Sequence, residues 1–545
     1  MTRARTFLFL FSVLLPTFIT AQEVLPTPPP PEKFVEEIEV RVVNIDVVVT
    51  DAAGKPLTEL TRDDFEMIEG GKAVDVSYFS RISEGRLQDD DGGVNEEAPR
   101  SPVIWAVYVD QTNIKPARRN QALRQLRTFL DGVMRNGDRA IVASYDGLVF
   151  RVRTGVTADR DFLLKTLEAL QKERLHLGPA AVQETHLRAQ IEYVVDPYEE
   201  GLVISRDVNT VVDAEALRTR NAIAGMGSLL DVLAGVSGRT AIVYVGAGFN
   251  TLPGLAITEV FRRKLPMLAE GIQAPKPEDR RFELEQDIVK LAGRVSATRA
   301  TVYSIHAGDQ SEGMLGADDK GHTAVTGSIV GENSRLVESG SVHAMAARTG
   351  GRTFTANESL SSQLSIVASD LSHYYSLGYV PRGEPSKLRD VRVRVKIPGA
   401  RVRHREAVRE RSPDEQAGDA VVTALFNPSE DNPLAVKVVT QPKRGRILPV
   451  RVEVPLDSLT FLPQETTQNA GLIFHFAVAG SDGSVWRLDS RELPLSIPKA
   501  KFAKALTQNV TYGVEVPMNS RGLRLAVSVQ DRIGQVRSLV TVPLQ

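Results

Sequence analysis

The segment that most constrains this chain is Val103 to Val109, seven consecutive apolar residues that stop abruptly at Asp110-Gln111-Thr112-Asn113. A strand buried on both faces reads as an unbroken apolar run, and such strands belong to parallel sheets covered by helices. In open α/β sheets the carboxyl ends of the strands form the ligand-binding edge. The run therefore predicts a central parallel strand that delivers the Asp110 carboxylate to that edge.

The neighbouring sequence extends this pattern. Lys115 to Arg135 carries Leu123, Leu126, Leu130 and Val133 at helical spacing, opened by Pro116 and closed by Asn136-Gly137. Arg139 to Ser144 and Leu148 to Val152 read as strands, and Phe162, Leu163, Leu167 and Leu170 mark a second helix. Gly178-Pro179 and Asp196-Pro197 punctuate residues 171–214, read as an irregular insertion. A helix from Ala214 to Ala234 precedes the strand Thr240 to Val245, which ends at Gly246-Ala247-Gly248. Another helix, Arg280 to Ala297, precedes the strand Thr301 to Ile305, which ends at His306-Ala307-Gly308-Asp309. Strands and helices in alternation predict a doubly wound, mostly parallel α/β domain, assigned to residues 100–405 and including the glycine-rich loop 308–340 and the Tyr374 to Tyr379 strand.

Two β regions flank it. Residues 34–84 alternate apolar and polar positions around the turn Asp51-Ala52-Ala53-Gly54-Lys55-Pro56, which predicts a small β domain with a bulge at Val43-Asn44 and a hairpin from Phe65 to Phe79. Short alternating strands return over residues 419–545 and predict a C-terminal β-sandwich. Residues 85–101 and 406–418 are charged connections.

The first 21 residues combine Arg3 and Arg5 with an apolar core and Ala21, the pattern of a secretory signal peptide, and residues 22–33 hold five prolines and form a stiff linker. The chain is therefore expected to be exported, periplasmic or extracellular. No later stretch is long and apolar enough for a membrane helix. Zero cysteine excludes disulfides, thiolate metal sites and a cysteine nucleophile, and a net charge of −2 gives no general attraction to nucleic acid. Lys387 to Arg411 does carry ten Lys or Arg against three acidic residues, but alternation with Val391, Val393 and Val395 explains those charges as the wet face of a strand.

Several motifs together give a resemblance: Asp51-Ala52-Ala53-Gly54-Lys55-Pro56, Leu60-Thr61-Arg62-Asp63-Asp64-Phe65, the strand ending at Asp110, Gly238-Arg239-Thr240-Ala241-Ile242-Val243, and Tyr374-Tyr375-Ser376-Leu377-Gly378-Tyr379. As a set, over residues 38–405, the chain resembles the bacterial exported VWFA-related proteins, whose core is a von Willebrand factor A-type domain. That resemblance implies a metal-ion-dependent adhesion site, in which oxygen ligands hold Mg or Ca and an open coordination place takes a partner's carboxylate. Asp110 matches its first ligand and Thr112 stands in for a serine. Ile114 occupies the second serine position, Ala247 falls where an aspartate belongs, and Thr219, the only threonine that its distance from Gly238 places, falls inside an expected helix. The site is therefore expected to be degenerate, with no cofactor.

A binding edge of Asp110, Gln111, Thr112, Asn113, Gly246, Ala247 and Gly248 follows, fitted to a protein partner and not to nucleic acid. A plain structural role for Asp110, capping the following helix, is the alternative. For catalysis, Ser496-Ile497-Pro498-Lys499 has the bare spacing of a Ser-x-x-Lys nucleophile, but Pro498 opposes the helical turn that chemistry needs. His306 and Asp309 at a strand end are the remaining acid/base candidates, so the competing expectation is an exported hydrolase with a cleft near Asp110, His306 and Asp309.

Overall fold

The computed structural model describes residues 41–88, 100–175, 179–236, 238–270, 276–308, 340–356, 360–382, 384, 387–427, 431–442, 445–518 and 522–544. The signal peptide, the proline-rich linker, most of the acidic connection, most of the 308–340 loop and Asp309 lie outside the described residues.

Six strands form the central sheet. Val103–Asp110 lies between Arg239–Gly246 and Arg139–Tyr145; Phe150–Val152 closes one edge, and Ala300–His306 followed by Thr353–Thr355 closes the other. Every pairing is parallel except that of Phe150–Val152, which turns back on Arg139–Tyr145. The sheet is doubly wound and von Willebrand A-like, with helices on both faces. Alternation along Val103–Asp110 divides its side chains between two cores. Val103, Trp105, Val107 and Val109 pack under the helices Pro116–Val133, Arg160–Lys172 and Leu360–Ser372. Ile104, Ala106 and Tyr108 pack under Glu199–Leu233 and Pro277–Ala297. All eight residues of the strand are buried, as the unbroken apolar run predicts.

The region read as an irregular insertion is helical. Pro179–Glu192 is one helix, and the helix expected from Ala214 starts fifteen residues earlier, running Glu199–Leu233 as 35 residues. The prolines read as breakers are starters: Pro179 opens the first helix, and Asp196 before Pro197 accepts from the Tyr198 and Glu199 amides at the mouth of the second. At 1.5 Å per residue the long helix spans about 52 Å, twice the roughly 26 Å of an eight-residue strand. Its C-terminal half covers the sheet, with Gly225 against Tyr108 and Tyr145. Its N-terminal half passes the strand ends, where Glu215 accepts from the Gly254 amide, and projects as an arm. Leu187, Ile191, Ile204, Val208, Ile257 and Phe261 give the arm a small core of its own.

The N-terminal β module recruits strands from far along the chain. Tyr374–Tyr379, expected within the α/β domain, lies between Val43–Thr50 and Tyr78–Ser83, and Arg389–Val395 pairs with Phe65–Glu69. Val43 and Asn44 pair regularly with Tyr379 and Gly378, so no bulge interrupts the pairing there. The expected Phe65–Phe79 hairpin is shorter: Lys72–Val74 pairs back on Phe65–Glu69, while Tyr78–Ser83 joins the other sheet. The module lies at the N-terminal ends of the central strands. Arg239, first residue of its strand, stacks 3.6 Å above the Tyr374 ring and pairs with Asp46.

Beyond it, the charged connection includes a capped helix, Pro413–Ala424, whose Ser412 and Glu415 cap reciprocally. Val421 to Phe426 join the apolar cluster under the central sheet, which also takes Ala477, Ala479 and Ala526 from the C-terminal domain. That domain is antiparallel, with a three-stranded sheet packed on a second sheet led by the long strand Thr467–Ala479. Ser496 lies on the strand Val485–Pro498 and Lys499 opens a separate short helix, so the Ser-x-x-Lys spacing is not on one helical turn.

Candidate functional site: the carboxyl edge of the central sheet

Asp110 is the last residue of its strand and is fully buried. It continues the even phase of Tyr108 and so points toward Tyr244 on the neighbouring strand. One carboxylate oxygen accepts from the Thr112 amide at 3.0 Å and from the Thr112 hydroxyl at 2.5 Å. The other accepts from the Tyr244 hydroxyl at 2.9 Å. Burial pushes the Asp110 carboxyl up to about 6, against the lowering effect of the hydrogen bonds from Thr112 and Tyr244. Tyr244 reaches this place because residue 246 is glycine: a Cβ there would lie 2.6 Å from the Tyr244 hydroxyl. Asp110 caps no helix; the following helix opens with Pro116 in its first turn, and Lys115 is its N-cap.

The other edge residues are drawn inward as well. Gln111 accepts from the buried Arg119 guanidinium at 2.7 Å, and Arg119 also donates to the carbonyls of Gln171 and Glu173. Thr112, Gly246, Ala247 and Gly248 are buried, and of the seven residues expected at the edge only Asn113, at φ +55°, is exposed. Ile114 packs into the core under the Pro116–Val133 helix.

These positions bear directly on the metal that an A-type edge implies. The donor set among the described residues does not fit a hard cation, which needs six or more oxygens. Both Asp110 oxygens already accept internal hydrogen bonds. The Thr112 hydroxyl is turned to Asp110, and the Thr219 hydroxyl donates to the Asn250 carbonyl at 3.1 Å. Ile114 and Ala247 offer no side-chain oxygen. Among the described residues, no group of three His, Cys, Asp or Glu side chains is placed to hold a metal.

The acid/base candidates do not converge. His306 is level with Gly246, and Asp110 stands one strand further on. Two strand spacings put their backbones about 10 Å apart. Burial lowers the His306 imidazole below its ordinary value, against a backbone hydrogen bond at Ala247. Asp309 lies outside the described residues.

Sequence reasoning passed over Tyr244 and Arg119. Tyr244 sits within an apolar strand run, where a tyrosine reads as packing. Its signal is register: Tyr108 and Tyr244 are direct neighbours, each two residues before its strand's tip.

No family model matches the sequence, and no curated protein does. Among solved structures, the chain is similar to an aerotolerance-related membrane protein from Bacteroides fragilis, at 14% identity over 49% of this chain and 98% of that one, with a TM-score of 0.23. It is similar to the three N-terminal domains of the type V pili tip protein Mfa5 from Porphyromonas gingivalis, at 10% identity over 92% of this chain and 77% of that one, with a TM-score of 0.25. The vWF domain of Mfa5 alone gives 13% identity over 52% and 98%, with a TM-score of 0.24. The von Willebrand A-like class rests on the strand order, the parallel pairing and the two helical layers.

Proposed function

We propose that this is an exported, non-enzymatic protein-binding scaffold, whose A-like domain recognises a protein partner without a metal. The observation that carries this reading is the state of Asp110: its two oxygens are taken up by Thr112 and Tyr244, and its surroundings are closed. What the edge presents is therefore a surface, formed by Asn113, the exposed Leu148 and the half-buried His306 and Asn250. Two cavities among the described residues, of about 210 and 520 Å³, lie away from this edge. An edge whose carboxylate is already paired suits a macromolecular contact better than a small substrate. Export, to the periplasm or beyond, rests on the leader-like first 21 residues.

The test is photo-crosslinking from position 113 or 148 in envelope and secreted fractions. A discrete adduct from these positions, absent from a control position on the C-terminal sandwich, is the expected result. No adduct above that control would overturn the reading. An activity lost in His306→Ala with the fold retained would replace it by the hydrolase.

A further inference from the structure

Two surfaces outside that edge complement one another. The arm's turn and first helical turn expose Tyr193, Val195, Tyr198, Leu202 and Val203, at 81, 86, 72, 39 and 57% of their full surface. Tyr198 and Leu202, four residues apart, share one helix stripe. Gly201 packs on Leu268, which brings in Met267, 91% exposed. Apolar residues exposed singly are ordinary, but six on one end of the arm mark a contact surface. Glu192, Asp196, Glu199 and Glu200 surround them, and no Lys or Arg occurs from residue 189 to 205. Arg263 and Lys264 are exposed on the Met267 side, so the acidic excess is greatest around Tyr193 to Val203, where pairing like with like would set carboxylates against carboxylates.

The second surface is a groove of about 520 Å³ between the Pro277–Ala297 helix and the Arg389–Val395 strand. It forms where two strands part: Arg401–His404 leaves to pair with Val43–Thr50, while Arg389–Val395 pairs with Phe65–Glu69. His404 fills the fork, accepting from the Val393 amide at 3.0 Å. Ala292, Gly293 and the partly exposed Leu388 line the groove, together with the exposed Arg348, Arg392 and Arg394. Asp390 and Glu406 also line it, leaving a positive balance of one. Arg392 and Arg394 belong to the basic run that the sequence singled out. Many of its other members are spent internally, Arg389 on Glu69 and Glu410, Arg403 on Asp370, and Arg411 on Asp419.

The two surfaces lie at opposite ends of the α/β domain. The arm stands beyond the carboxyl ends of the strands, and the groove lies beside Ser296, one turn before the strand that starts at Ala300. With about 25 Å of sheet and about 25 Å of arm between them, a chain cannot fill its own groove. We propose that the arm of one copy seats in the groove of a second copy, its tyrosines against Leu388 and its carboxylates against Arg392 and Arg394. Arm and groove are different patches, so the contact is heterologous and repeats head to tail, as a ring where the rotation closes and as an open array where it does not. Neither surface includes Asp110 or Gly246 to Gly248, so this inference stands or falls apart from the strand-edge reading.

Sedimentation velocity on the purified chain tests it. Species should grow past the dimer with concentration and shrink at high salt. Tyr193→Glu with Tyr198→Glu, and separately Arg392→Glu with Arg394→Glu, should each leave a monomer with unchanged circular dichroism. The two variants mixed should form a 1:1 heterodimer and nothing larger, because each keeps one intact surface. Three outcomes would overturn the proposal: a wild-type chain that stays monomeric, one that stops at a closed dimer, or folded variants that fail to pair when mixed. A different protein captured by the arm while the wild type stays monomeric would also overturn it.

Discussion

Two buried aspartates stand at the two ends of the α/β domain and are satisfied in different ways. Asp370, on the Leu360–Ser372 helix, receives a two-pronged contact from Arg403, at 2.6 and 2.5 Å, and lies 3.5 Å from the Tyr303 hydroxyl. Arg403 belongs to the β module, so this charge pair ties the module to the α/β domain. Asp110 receives no cation, only an amide and two hydroxyls. With only neutral donors around it, burial prevails at Asp110, and its carboxyl rises to about 6. At one end charge is used as a structural tie; at the other, the Asp110 carboxylate is an interior group held by neutral donors.

The largest effect that can break this comparison is Asp370→Ala. It strands the partly buried Arg403 and should cost about 3–5 kcal/mol in urea unfolding; a loss near zero would remove the tie. Asp110→Ala should cost less, about 1–3 kcal/mol, because it leaves the Tyr244 and Thr112 hydroxyls without an acceptor. Asp110→Asn keeps an acceptor and buries no charge, so at neutral pH it should match or exceed the wild type.

The pH dependence sharpens the contrast. An unfolded aspartate titrates near 3.9, so between about pH 4 and pH 6 the folded state keeps a proton that the unfolded state has released. Asp110 therefore makes stability fall as pH rises through that window, by on the order of 1–3 kcal/mol in all, and adds nothing further above it. Denaturation from pH 4 to 7 should show this slope in the wild type and not in Asp110→Asn. Tyr244→Phe should move the fall to higher pH, because the Tyr244 hydroxyl stabilises the carboxylate. Smallest of all, Tyr198→Ala on the exposed arm should change stability by no more than about 0.5 kcal/mol.

The central sheet was legible because Val103 to Val109 and Thr240 to Val245 state their burial locally, and Asp110 was legible because polarity returns abruptly at the strand's end. The arm was hidden by Pro179 and Asp196-Pro197, which mark a helix start and a loop equally well. The β module's composition was hidden for another reason: Val47 meets Tyr375, more than three hundred residues away, and no periodicity encodes that pairing. At the edge, the lack of a side-chain oxygen at Ile114 and Ala247 was legible from residue type alone. The Tyr244 hydroxyl on Asp110 was not, because it depends on the register between two strands and on the missing Cβ of Gly246.

The most direct measurement is thermal unfolding in the presence of magnesium, calcium and manganese. The account predicts the same unfolding temperature with and without each ion, for the wild type and for Asp110→Asn alike. A rise in the wild type that Asp110→Ala abolishes would show that Asp110 still organises a metal site, and would contradict it.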